Sequence, residues 1–148
     1  MNILSELKKD HDQQRDLLAQ IADAPAGSKE QKNLLEELKA QLEAHANAEE
    51  RSFYAPLMQH DGTQDEARHS VHEHHEIEEC LEKLEEASSG TTAWENQFQK
   101  LKKLVLHHLE EEEREVFPKA EKVLDDAQQK SLANEYNEQM EEEVHEHV

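Results

Sequence analysis

The stretch LEAHANAEERSFYAP, residues 42–56, has a counterpart in VLHHLEEEEREVFP, residues 105–118. Superposing His45 on His108 puts Leu38 on Leu101, Leu42 on Val105, and Glu49 to Arg51 on Glu112 to Arg114. Both copies end in an aromatic residue and a proline, Pro56 and Pro118, one position out of register. In each, a histidine extends a stripe of Leu or Val residues, and a glutamate follows one helical turn later. This is the period of an α-helix, so both stretches read as amphipathic helices with histidine and glutamate on the buried face. The prolines are expected to end or kink these helices, because proline lacks the amide hydrogen and crowds the preceding turn.

Outward from this pair, the clusters ADAPAGSKE, QHDGTQDE and EASSGTTAWE hold the residues that stop helices and start turns. They delimit helical patterns over roughly Ile3–Ala22, Lys29–Gln59, Gln64–Ala87 and Thr92–Leu124. A short fifth segment, QQKSLANEYNEQMEEEVHEHV, should pack through Leu132, Tyr136 and Met140 and then fray. Short connections make consecutive helices antiparallel. The expected fold is therefore all-α, an up-down-up-down four-helix bundle with a short C-terminal fifth helix. A length of 148 residues suits one domain, with the core bundle at about residues 1–125 and a helical tail at about 126–148.

Charged residues make up 35% of the chain and hydrophobic ones 34%, a balance that disorder would also explain were the apolar residues not periodic. The formal charge of −20 repels phosphate backbones and anionic lipid headgroups, so neither nucleic acid nor membrane is an expected partner. The N-terminal MNILSELKKDHDQQ lacks the uninterrupted apolar run of a signal peptide, and a cytoplasmic location is expected. The lone Cys80 shares a face with Ile77 and Leu84 and reads as a buried structural thiol.

Eleven histidines are the anomaly of this acidic chain. His11 lies on the face of Leu4, Leu7 and Leu18, and His45 on that of Leu38 and Leu42, with Glu49 one turn further. His108 extends Leu101 and Leu104 toward Glu112, and His74 joins Val71, Ile77, Leu81 and Leu84. His75 is the alternative to His74, because neighbouring helical residues differ by only about 100° in direction. One buried histidine is usually a hydrogen-bonded core residue. Four histidines with two glutamates in one small core are costly unless a cation pairs with them. Such a mixed imidazole and carboxylate set suits a dinuclear iron or manganese centre. His60, His69, His72, His75, His107, His145 and His147 are expected at the surface. Glu66 with His69, and Glu142 with His145, have the Glu-x-x-His spacing of ferritin-like proteins but lie off the apolar stripes.

LKKDH near the start, HANAEERSFYAP, EHHEIEECLEKL and HLEEEEREVFP together resemble the successive motifs of the hemerythrin-like HHE cation-binding domains. The resemblance spans about residues 1–125. It implies a bundle around a non-haem di-iron site, two iron ions with bridging glutamates, with manganese or zinc as substitutes. The implied metal ligands are His11, His45, Glu49, His74, His108 and Glu112. Oxygen-carrying hemerythrins have a His-x-x-x-His pair in the third helix, where this chain has Glu78 four residues after His74. They also place an acid five residues after the fourth-helix histidine, which leaves Glu112 and Glu113 as alternatives. The N-terminal cysteine region of the iron-sulfur-repair relatives is not present in this sequence. The expected function is reaction with, or sensing of, the small molecules O2, peroxide or NO in redox or nitrosative stress. The alternative is non-catalytic storage or carriage of metal or oxygen. Whether the chain is an enzyme, and which proteins are its partners, the residues leave open.

Overall fold

The computed structural model describes residues 2–146, with side chains as far as residue 143. Helix α1 spans Ile3–Asp23. Helix α2 opens as Lys29–Glu49, passes through a π-helical turn at Glu50–Tyr54 and closes as Ala55–Leu57. Helix α3 is Gln64–Glu86. Helix α4 repeats the plan of α2, with Thr92–Glu111, a π-helical turn at Glu112–Val116 and Phe117–Val123, and α5 is Asp126–Glu146. No strand occurs among the described residues.

The helix starts follow from their caps. Asn2, Ser28 and Thr91 accept hydrogen bonds from the backbone N–H groups of Ser5, Gln31 and Trp94 at 2.9, 3.1 and 3.2 Å, satisfying amides that have no partner inside the helix. The α1–α2 and α3–α4 turns meet backbone to backbone. Gly27 and Gly90 have φ of 74° and 78°, and a Cβ on Gly27 would lie 3.2 Å from the Gly90 Cα. Only glycine suits both the left-handed conformation and the close approach.

Two apolar layers establish the up-down-up-down order. One contains Leu17, Leu18 and Ile21 of α1, Leu38 and Leu42 of α2, Ile77 to Leu84 of α3, and Trp94 to Leu109 of α4. The other contains Ile3 and Leu7, then Phe53, Tyr54 and Leu57, then Ala67, then Val116, Phe117 and Ala120. Successive helices therefore traverse the layers in opposite directions. In α1 to α4 the crossing from one layer to the other falls at or just after the inward histidine. Full burial of each large aliphatic side chain contributes about 1.5–3 kcal/mol, which offsets the cost of the polar layer held between them.

Pro118 does not end α4, which continues to Val123, whereas α2 stops one residue after Pro56. Both prolines stand in the first turn after a π-helical turn, where the regular hydrogen-bond ladder is already interrupted. Helix α5 runs for 21 residues, as long as α1. Ala133 and Tyr136 are buried, with Leu132 and Met140 partly so, and the helix packs on α1 and α2. The buried Glu143 accepts a hydrogen bond from Asn47 at 3.2 Å. This contact anchors a segment whose acidity suggests fraying. His147 lies outside the described residues, and the side chain of His145 likewise. Among the described residues, no helix is long and apolar enough to cross a membrane.

Candidate metal centre

Between the apolar layers the structure brings together His11, His45, Glu49, His74, His108 and Glu112. All are buried except His74, which is partly so, and their side-chain exposures run from 0% to 8%. They form two groups, His11, His45, Glu49 and Glu112, and Glu49, His74, His108 and Glu112, whose ligand atoms lie within 4.8 Å of one another. Both groups contain the same two carboxylates. Glu49 turns Oε2 toward His45 Nε2 (3.5 Å) and Oε1 toward His74 Nε2 (3.2 Å). Glu112 turns Oε1 toward His11 Nε2 (3.0 Å) and Oε2 toward His108 Nε2 (3.6 Å). Each carboxylate thus spans the two histidine pairs with its two oxygens.

Hydrogen bonding satisfies only part of this layer, where His74 Nε2 and His108 Nε2 share one hydrogen bond at 3.1 Å. His11 Nε2, His45 Nε2, both Glu49 oxygens and Glu112 Oε1 have no hydrogen-bond partner in the structure, although they lie within ion-pair distance of one another. The separations are short but the directions are wrong for hydrogen bonds, whereas lone pairs that converge on a common point can each be given to a cation placed there. Orphaned buried donors and acceptors cost about 1–3 kcal/mol each. Cations bound by imidazole nitrogen and carboxylate oxygen would satisfy them, so the residues present fit a metal centre.

The far nitrogen of each histidine is held as well. His11 Nδ1 donates to Glu113 at 2.7 Å, His74 Nδ1 to Glu50 at 2.8 Å, and His108 Nδ1 to Glu73 at 2.9 Å. His45 differs. Its Nδ1 donates to the Tyr136 hydroxyl of α5, which donates in turn to Asp10. A carboxylate on one imidazole nitrogen holds the ring orientation and leaves the other nitrogen free for a metal. Glu113 therefore sits behind His11, while its neighbour Glu112 faces the centre. These outer partners escaped the reading of apolar stripes. Their trace in the sequence is the second acid of both Glu-Glu-Arg repeats and the acid immediately before His11 and His74.

The charges are strongly coupled. Burial opposes a charged imidazole at His45, but the Glu49 charge and the hydrogen bonds with Asp10 and Glu49 lift its pKa to about 10. At His74 burial is likewise outweighed, by hydrogen bonds with Glu49 and Glu50, and the pKa rises to about 9. Burial would also raise Glu49, yet the charge of His45 pulls it well below the ordinary carboxylate range. Glu112 goes up, through burial and the facing charge of Glu49. Burial is outweighed at Glu113 by His11 and Arg15, which bring it down to about 2. Without metal, protons hold the layer together. The Tyr54 hydroxyl also donates to Glu112.

A cavity of about 410 Å³ opens onto the layer, lined among others by Gln14, His45, His74, His75, Glu78 and His108. Gln14 is 1% exposed, and its side-chain nitrogen has no hydrogen-bond partner in the structure. His75 and Glu78 are exposed at this cavity and belong to neither group. His69, His72 and His107 are exposed, and His60 is partly exposed. Cys80 is buried, where desolvation raises its thiol pKa.

The chain matches the family model of the hemerythrin HHE cation binding domain over residues 2–120. It is also similar to the crystal structure of a hemerythrin HHE cation binding domain-containing protein from Mycobacterium kansasii. The TM-score is 0.88 at 25% identity, covering 97% of this chain and 87% of that one. None of the curated proteins compared with the chain matches it. A polar layer with metal-ligand chemistry in a five-helix fold of this kind, together with the family match over four of its helices, makes the chain a metal-binding member of the hemerythrin HHE cation-binding domain family.

Proposed function

We propose that the protein holds two iron ions, one between His11 and His45 and one between His74 and His108, with Glu49 and Glu112 shared. In this reading it reacts with or senses O2, peroxide or nitric oxide as part of a redox or nitrosative stress response. The observation that carries the reading is the direction of the two carboxylates, each with one oxygen toward each histidine pair. Iron suits four imidazoles and two carboxylates, and manganese or zinc would be accepted by the same donors. When bound, iron supplies one-electron redox chemistry.

The chain's own residues do the rest. Glu113, Glu50, Glu73 and the Tyr136–Asp10 pair fix the four imidazole rings. Gln14 offers an unpartnered N–H donor beside the cavity, placed to bind an oxygen atom of a small ligand. A surface of net charge −20 disfavours anions but not neutral O2, hydrogen peroxide or NO. Anionic oxygen donors also stabilise the ferric state, which favours redox turnover over reversible oxygen carriage.

Metal content and visible spectra before and after reduction test the metal assignment. Stopped-flow mixing of reduced protein with O2 tests the chemistry, with a ferric product expected. An adduct that disappears under argon and returns with O2 would assign the protein to carriage instead.

A further inference from the structure

Two further histidine and glutamate pairs face each other on the outer side of α3 and α4. His69 and Glu73 are four residues apart on α3, and His107 and Glu111 four apart on α4, so each pair stacks along its own helix. His69 Nε2 is 3.1 Å from Glu111 Oε1 and 3.5 Å from Glu73 Oε2. His107 Nε2 is 2.9 Å from Glu111 Oε2 and 3.9 Å from Glu73 Oε2. Zinc bonds of roughly 2.0–2.1 Å at tetrahedral angles put ligand atoms about 3.3 Å apart. The four distances bracket that separation. Ligand atoms of His69, Glu73 and Glu111 lie within 4.8 Å of one another, while His107, which faces the other oxygen of Glu111, stands beside that group and outside it.

An ordinary surface pair lacks this convergence. His72 and Glu76, also four apart on α3, approach to 3.3 Å but join no group of three or more ligands among the described residues. Side chains of His69 and His107 are 52% and 64% exposed, and those of Glu73 and Glu111 12% and 20%. An ion can therefore enter from solvent and find its carboxylates already held. Glu73 connects this cluster to the interior, since its Oε1 accepts from His108 Nδ1 while Oε2 faces the outer histidines.

We propose that His69, Glu73 and Glu111, with His107 beside them, form a second, solvent-accessible site for one divalent transition-metal ion, joined to the buried centre through the Glu73 carboxylate. One imidazole with two carboxylates, and a second imidazole at hand on His107, suits a borderline cation such as zinc. The site does not depend on how many ions the buried centre holds.

Zinc binding to the iron-reconstituted protein, measured by equilibrium dialysis and calorimetry, provides the test. Wild-type protein is expected to bind one zinc ion per chain more than H69A/H107A, and Glu111→Gln to weaken that ion at least about tenfold. His72→Ala should leave the isotherm unchanged. Circular dichroism melts verify that each variant is folded. Identical isotherms for wild type and H69A/H107A would overturn the proposal, as would an equal loss in His72→Ala, which would mean diffuse binding to an acidic surface. His45→Ala separates this site from the buried one: it should lower iron content and retain the outer zinc. If no variant or wild-type sample takes up iron, the difference of one zinc between wild type and H69A/H107A is still expected.

Discussion

Stripping the metal should make this protein sensitive to alkali well below the pH at which lysines titrate. In the metal-free state His45 and His74 have pKa values of about 10 and about 9, against an ordinary 6.5. A folded-state pKa above the unfolded value means that the native chain keeps a proton the unfolded chain has released. The stabilisation is complete below pH 6.5 and is lost as pH rises toward 9 and then 10. Between pH 6.5 and 8.5 each of the two histidines approaches a limiting slope of about 1.4 kcal/mol per pH unit as the unfolded chain releases its proton, so the metal-free protein should lose about 4–5 kcal/mol. His11, also raised above its ordinary value, acts in the same direction. For a chain of this size that loss lowers the melting temperature by about 10 °C or more. Metal ions replace these protons, and their binding strengthens as pH rises. The difference between loaded and stripped protein should therefore widen. Circular dichroism melts of chelator-treated and iron-reconstituted protein at pH 6.5, 7.5 and 8.5, at constant ionic strength, measure both curves. A stripped protein whose melting temperature stays level or rises across this window would refute the reasoning.

Iron content should fall in His74→Ala and persist in His75→Ala, since only His74 faces Glu49; metal analysis of the purified variants reads this directly. Tyr136→Phe removes the hydroxyl between His45 and Asp10 and should weaken metal binding by about 10–100-fold in chelator competition. Gln14→Leu should alter the rate of reaction of the reduced protein with O2 in stopped-flow, leaving iron content unchanged. Phe98→Ala, in the apolar layer away from the cavity and stacked on Trp94, should cost about 3–5 kcal/mol in urea unfolding, with iron still bound under native conditions.

The bundle was legible because apolar spacing and turn clusters are local signals, and the repeat between residues 42–56 and 105–118 doubled them. The six inward polar residues were legible because each prolongs an apolar stripe. The outer carboxylates were not. Glu50 and Glu113 follow stripe residues instead of lying on them, and their partners His74 and His11 belong to other helices. The π-helical turns have no strong compositional mark, so nothing announced that the helices loosen at Glu50 and Glu112. Helix α5 was the hardest part to judge. Its acidic composition is that of a solvated segment, and its burial rests on a few residues, Tyr136 and Glu143 among them, whose partners are some ninety positions away or more.

The hydroxyl that α5 inserts beside His45 also imposes a schedule on biosynthesis. A ribosome delivers α1 to α4, and with them all six inward polar residues, before Tyr136 has been made. Until α5 docks, His45 lacks the partner that its three counterparts already have within the first four helices. An ion captured during that interval would be held on one side by an imidazole still free to turn. Closure of the last helix is thus the event that completes the centre, and metal supplied while the chain is still folding should exchange more readily than metal in the finished protein.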